Sequence, residues 1–178
     1  AFWKTACSEG RRKACESYLY VLGRNCQGNS ARACFELGQV LTVELAVPRD
    51  TVAAGKSLWR ACELGLSESC RSMTLLVHEK GEAAWLQACE RGDGGSCFIL
   101  AALLRAGNGV APDHSRAVEF LQRARENSWW RGCDALGHSY LRGDGAPADV
   151  AHAIASFDRA CAGNYAPSCA AAGLLYTR

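Results

Sequence analysis

The chain lacks a long apolar run, a charge bias, a serine–lysine pair and any zinc-type cysteine spacing, and each absence removes a class of function. No apolar stretch approaches the ~18 residues needed to cross a bilayer, so membrane insertion is not expected. Lysine plus arginine number 20 and aspartate plus glutamate 18 in 178 residues, a net charge of +2. The one dense basic cluster is Arg11-Arg12-Lys13, too small to make a nucleic-acid surface. Apolar residues at 49% and charged residues at 21% otherwise fit an ordinary globular protein.

Catalytic patterns are missing as well. Serine acylation of the β-lactamase kind places a lysine three residues after the serine, on one helix turn. Here the residues three before Lys4, Lys13, Lys56 and Lys80 are Ala1, Gly10, Ala53 and Val77. There is no G-x-S-x-G elbow, and the segment HEKGE at His78 lacks the second histidine of a zinc helix, so it reads as a solvated helix end. His78, His114, His138 and His152 lie in separate segments without a shared metal spacing; His138, close to Tyr140, reads as a packing histidine. The cysteines are not spaced as C-x2–4-C, the pattern that suits tetrahedral zinc. No catalytic, cofactor-binding or metal-ligating residue is assigned, no cofactor is expected, and the chain is not read as an enzyme.

What the chain does have is 11 cysteines, about 6% of its length and below the density of a tiny disulfide scaffold. Ten fall into pairs eight residues apart: Cys7 and Cys15, Cys26 and Cys34, Cys62 and Cys70, Cys89 and Cys97, Cys161 and Cys169. Cys133 stands without such a partner, and Arg125 occupies the place where one would be. The steps from 26 to 62 and from 125 to 161 are both 36 residues, whereas 62 to 89 is 27 and 7 to 26 is 19. Other positions keep the register. Asp50, Asp113 and Asp149 stand twelve before a first-cysteine position, and Trp3, Leu22, Leu58, Trp85, Leu121 and Phe157 four before one. Three after the second cysteine come Leu37, Met73, Leu100, Leu136 and Ala172; seven after it come Leu41, Val77, Leu104, Tyr140 and Tyr176.

Apolar positions recurring at three and four residues describe a helix face. Each unit therefore reads as two antiparallel helices. Helix A starts at the aspartate, an N-cap whose carboxylate accepts first-turn amides. It ends at Gly65, Gly92 or Gly163-Asn164, residues that tolerate a left-handed conformation. Helix B begins three or four residues later, and the segments GNGVAPD and GDGAPAD join one unit to the next. On one continuous helix, residues eight apart lie ~12 Å apart, beyond the ~7 Å reach of a disulfide. The pairs can bond only if the chain reverses between them, and the glycine sits where it would. Such a bridge staples helix A to helix B and contributes about 2.5 kcal/mol by loop entropy.

Cysteine, glycine at plus three, cysteine at plus eight, then a GxGVxxD-like connector: this resembles the Sel-one-like repeats, and within them the cysteine-rich bacterial Hcp-like branch. The resemblance runs from Cys7 to Tyr176 and is carried most fully by residues 50–178. It ranks ahead of the tetratricopeptide repeats, whose period is ~34 and which lack paired cysteines. The fold it implies is all-α, a right-handed α–α superhelix of helical hairpins with intra-hairpin disulfides. The expected organisation is one repeat domain over 1–178, with irregular units in 1–45 and hairpins at 50–79, 82–106, 113–142 and 149–178. Cys26 follows Cys15 by only eleven positions, too few for a helix B, a connector and a helix A. The N-terminal unit is therefore irregular, and pairing among Cys7, Cys15, Cys26 and Cys34 stays open beside the spaced assignment. Cys133 reads as a buried free thiol.

The resemblance implies adaptor or scaffold work on a protein or peptide partner bound at a concave face. Some cysteine-rich members bind β-lactams or hydrolyse them slowly, so a binder of β-lactams or cell-wall fragments is a second reading. A secreted effector or a periplasmic inhibitor of a toxin is a third. Paired cysteines place the protein in an oxidising compartment, the bacterial periplasm or outside the cell, as a monomer with possible cell-wall association. The chain begins AFWKTACSEG, without methionine or signal peptide, and is read as a mature or trimmed form. Trp129 and Trp130 occupy an A–B turn where other units carry Arg11-Arg12, Leu66-Ser67 or Asp93-Gly94. Two roles are open to them: packing over the hairpin in place of its missing bridge, or a partner-binding pair.

Overall fold

A computed structural model describes the chain at residues 2–43, 47–80, 82–107 and 111–177, with the side chains at 2, 3, 74 and 77–80 outside that description. The sequence readings at Trp3, Val77, His78 and positions 108–110 fall outside it. The described residues form eleven α-helices and no strand: α1 (Phe2–Ser8), α2 (Arg12–Gln27), α3 (Ala31–Thr42), α4 (Thr51–Glu63), α5 (Ser67–Lys80), α6 (Glu82–Glu90), α7 (Gly94–Ala106), α8 (His114–Glu126), α9 (Trp130–Arg142), α10 (Val150–Ala162) and α11 (Ala166–Tyr176). Successive helices pair as hairpins. None of the described helices is long and apolar enough to cross a membrane.

The chain divides into two compact units, Ala1–Ala84 and Trp85–Arg178. The division falls where the period is nine residues short. There α6 has 9 residues against 13 in α4, α8 and α10, and no aspartate-capped connector precedes it.

Within each unit the aspartate register has a double use. Asp50, Asp113 and Asp149 accept from the amides of Ala53, Arg116 and His152 through their carboxylates, at 2.9–3.0 Å. Their own amides donate to the carbonyls of Leu41, Leu104 and Tyr140 on the preceding helix, at 2.9–3.1 Å. One residue thus starts a helix and fixes it to the hairpin before. The apolar faces meet through a size match: a methyl built on Gly38 would lie 2.6 Å from Leu58 Cγ, and one on Gly137 would lie 2.7 Å from Phe157 Cε1. Only glycine lets the large residue of the next helix A come so close.

The eleven-position step from Cys15 to Cys26 has a simple resolution. The 16-residue helix α2 serves both neighbours, its start bridged to α1 and its end to α3. Tyr18 on α2 donates to Glu36 on α3 at 2.8 Å, and Lys4 on α1 reaches the same carboxylate at 3.8 Å. Burial and Glu36 push the Tyr18 hydroxyl up to about 12. The Tyr18 hydrogen bond holds the Glu36 carboxyl below its ordinary range, with Lys4 and Arg32 helping against partial burial.

Since the folded Glu36 pKa lies below the unfolded one, its contribution is fully present above the ordinary glutamate range. It drains as pH falls through the folded value. Tyr18→Phe is expected to cost about 1 kcal/mol at neutral pH and to raise the Glu36 pKa in a carboxyl titration by NMR. The stability gap from the parent should narrow in acid; a constant gap from neutral pH to pH ~3 would count against the coupling.

Candidate functional site

The A–B turns are the most regular feature of the molecule, and every assigned site residue lies in one. Each of six turns closes by the same two hydrogen bonds. In α4–α5 the amide of Gly65 donates to the Cys62 carbonyl, and that of Leu66 to the Ala61 carbonyl. The same pair recurs for Gly10 and Arg11, Asn29 and Ser30, Gly92 and Asp93, Ser128 and Trp129, and Asn164 and Tyr165. This is the Schellman end of a helix, and the residue three after the first cysteine takes the left-handed conformation. It is glycine at φ 81, 93 and 91° (Gly10, Gly65, Gly92), and otherwise Asn29, Ser128 or Asn164 at 57–65°.

The turn puts residues eight apart side by side. Disulfides join Cys7 to Cys15, Cys26 to Cys34, Cys62 to Cys70, Cys89 to Cys97, and Cys161 to Cys169, with Cα–Cα separations of 4.4–4.9 Å. Such separations need small neighbours. The residue before the second cysteine is Ala14, Ala33, Ser69, Ser96 or Ser168, all buried, and Ser69 and Ser168 donate to the Leu58 carbonyl and to Asp134 at 2.6 Å.

The turn between α8 and α9 keeps the geometry without the bridge. Cys133 is the free cysteine, 0% exposed, and burial pushes its thiol up against the opposing pull of Arg159 and Arg125. A methyl built on Gly132 would lie 2.6 Å from the Ala124 Cβ, so the two helices touch here through glycine and alanine.

Trp129 and Trp130 reach sideways from this turn to its neighbours. A methyl on Gly94, at the start of α7, would lie 2.8 Å from the Trp129 Cβ, and any side chain on Gly163, at the end of α10, would run into the Trp130 indole. The pair therefore lies against the turn before and the turn after. Trp130 remains 38% exposed. Other turn-to-turn contacts follow the same edge: Arg131 lies 6.0 Å from the Tyr165 ring centre, and Arg60 donates to Asn29 at 2.5 Å.

The described histidines, His114, His138 and His152, serve local roles. His114 Nδ1 sits 2.5 Å from Asp144, which also faces Arg105 at 3.6 Å. His138 meets Phe157 edge-on at 5.0 Å. His152 lies 2.7 Å from Asp149, whose carboxyl is held low first by the His152 backbone amide and then by its ring. Among the described residues no group of three or more His, Cys, Asp or Glu could hold a metal ion. The left-handed helix ends at Gly65, Gly92 and Asn164 stand where the sequence reading ended helix A; the Tyr18–Glu36 pair and the tryptophan contacts escaped it.

A stack of helical hairpins with disulfides across its A–B turns defines a cysteine-stapled helical repeat protein. The family model for the Sel1 repeat matches residues 31–66, 95–128 and 130–165. The chain belongs to the Sel1 repeat family, whose architecture is the α–α superhelix. It is similar to cytochrome c oxidase assembly factor 7 of Xenopus tropicalis, 28% identical over 154 residues, covering 77% of this chain and 67% of that protein. Among solved structures it resembles a protective antigen of uropathogenic Escherichia coli with an SLR fold: TM-score 0.54, 24% identity, 90% of this chain and 36% of that one. Cysteine rich protein B of Helicobacter pylori aligns over 89% of this chain and 95% of its own, at 18% identity and a TM-score of 0.45.

Two outcomes are expected. Arg125→Cys should close a sixth bridge to Cys133 and add about 2.5 kcal/mol. Intact mass would then show twelve hydrogens gained on reduction against ten in the parent; a variant with two free thiols and an unchanged melting midpoint would refute the shared geometry. Trp130→Ala should cost about 2 kcal/mol through lost packing on Gly163, read as a drop in the denaturant midpoint. An unchanged midpoint would show the wedge to be unimportant.

Proposed function

We propose that the chain is a non-enzymatic protein–protein interaction module working in an oxidising, extracytoplasmic compartment. The observation that carries this reading is the bridge across five A–B turns of a Sel1-type hairpin scaffold. Stacked helical hairpins present long surfaces to peptides and proteins, each repeat contributing one helix to the exposed face. Covalent closure of each turn lowers the entropy lost when such a surface is held rigid for a partner.

The compartment follows from redox chemistry. Exposed thiol pairs are kept reduced in the cytosol, whereas bridges persist where that reducing system is absent. A relative named as an assembly factor supports work on other proteins, and a bacterial antigen with the same fold supports an address outside the cytoplasm. Because the frog relative is eukaryotic, the reading is of an oxidising compartment as such, with the bacterial periplasm as one instance.

The test is capture on beads carrying the oxidised chain beside beads carrying the reduced, alkylated chain, from an extracytoplasmic extract under non-reducing conditions. A protein retained by the oxidised chain at about tenfold excess is expected. Equal retention by both forms, or no retention by either, would overturn the reading.

A further inference from the structure

Among the described A–B turns, only the one between α8 and α9 carries no disulfide, and Arg125 stands where a bridged turn has its first cysteine. This hairpin lies inside the chain, with α6–α7 before it and α10–α11 after it. Its outer edge is therefore not that of a chain end.

Residues three and four apart share a helix face. On α9 these are Trp130 and Cys133, and on α10 Arg159 and Gly163. The Trp130 indole lies against Gly163, which sets Arg159, one turn earlier, on the side of Cys133. Arg125, at the end of α8, comes to the same place from across the turn, and both guanidinium charges pull on the Cys133 thiol. The thiol itself is fully covered. Arg159 is exposed and Arg125 half-exposed, and neither makes an ion pair with a carboxylate among the described residues. Asp134, the carboxylate next to Cys133, accepts from Ser168 at 2.6 Å and faces His138 at 3.9 Å. Glu126 follows Arg125 and is exposed. At the same edge Arg131 lies 6.0 Å from the Tyr165 ring centre, and Trp130 keeps 38% of its surface open.

We propose that Arg125 and Arg159, with the open part of Trp130, dock an acidic segment of a partner protein, its carboxylates on the guanidiniums and a neighbouring apolar side chain on the indole. A guanidinium matches a carboxylate with two parallel hydrogen bonds, and arginine and tryptophan are the residues on which binding energy concentrates. Cations without partners of their own attract an acidic segment and reject a basic one. A nucleic acid would ask for a longer basic stripe than this edge offers. The proposal rests on the reading of the chain as a protein-binding module and adds to it the surface and the chemistry of the partner.

The probe is a labelled Glu-Leu-Glu-Phe-Glu peptide, titrated by anisotropy at low salt against the oxidised full chain. Saturable binding below ~1 mM is expected, weakening as salt is added. Arg159→Glu, at an exposed position, should weaken it by about tenfold or more with an unchanged melting midpoint. The same variant should bind a lysine-for-glutamate peptide more tightly than the parent does. Arg125→Gln should weaken the acidic peptide too, and a peptide with serine for leucine and phenylalanine should bind less tightly. Arg24→Glu, the same charge change at an exposed position of the other unit, should leave binding within about twofold of the parent. No saturation with the parent, no effect of Arg159→Glu, or an equal effect of Arg24→Glu overturns the proposal. So does self-association of the parent in sedimentation that Arg159→Glu abolishes, which assigns the surface to a second copy. The capture on oxidised and reduced chains uses neither the peptide nor position 159. A protein held equally by the oxidised parent and by oxidised Arg159→Glu would keep the module reading and strike this one.

Discussion

The whole arrangement depends on a helix ending in a left-handed residue three positions after the site of the first cysteine. That single backbone conformation reverses the chain within a few residues and aims two amides back at the carbonyls that the helix end leaves open. It also brings the eight-apart residues to within 5 Å of each other at their Cα atoms. The disulfide is secondary to this reversal. The α8–α9 turn makes the same two hydrogen bonds, in the same order, with arginine and a free cysteine where the bridge would be. The bond secures a geometry that small side chains and a left-handed residue have already produced.

From this constraint the rest of the hairpin follows. Close approach at the apex requires alanine, serine or glycine just before the second cysteine, and those residues are buried. Farther from the apex the helices diverge enough to admit Leu58 or Phe157, set against glycine on the neighbouring hairpin. The aspartate that begins each following helix then closes the connection with one carboxylate acceptor and one amide donor. Short-range chemistry at two kinds of junction thus repeats along each unit, as expected of a fold whose repeats touch mainly their neighbours.

Much of this was legible in the residues. A pair spacing that cannot be bridged on one helix, a glycine between the cysteines, and an aspartate at a fixed distance together imply the hairpin and both of its ends. What was not legible has physical causes. Ser128 adopts the left-handed conformation at φ 57°, for which its residue type gives no cue. The double use of α2 follows from tertiary packing at both of its ends. The boundary between the two units falls at a nine-residue shortfall whose length is plain in the sequence. Trp129 and Trp130 looked unusual on the turn, yet what they rest on is set by Gly94 and Gly163, some 35 residues to either side, and no local pattern connects them.

The shared helix α2 also acts as a ruler. Its two cysteines, 11 positions apart, are held ~16 Å from each other once the helix is wound, several times the span of a sulfur–sulfur link. A mispaired ring between Cys15 and Cys26 is thereby removed as the helix forms, and each is left to meet the partner waiting at its own end. The length of one helix thus excludes one of the three ways in which Cys7, Cys15, Cys26 and Cys34 could pair.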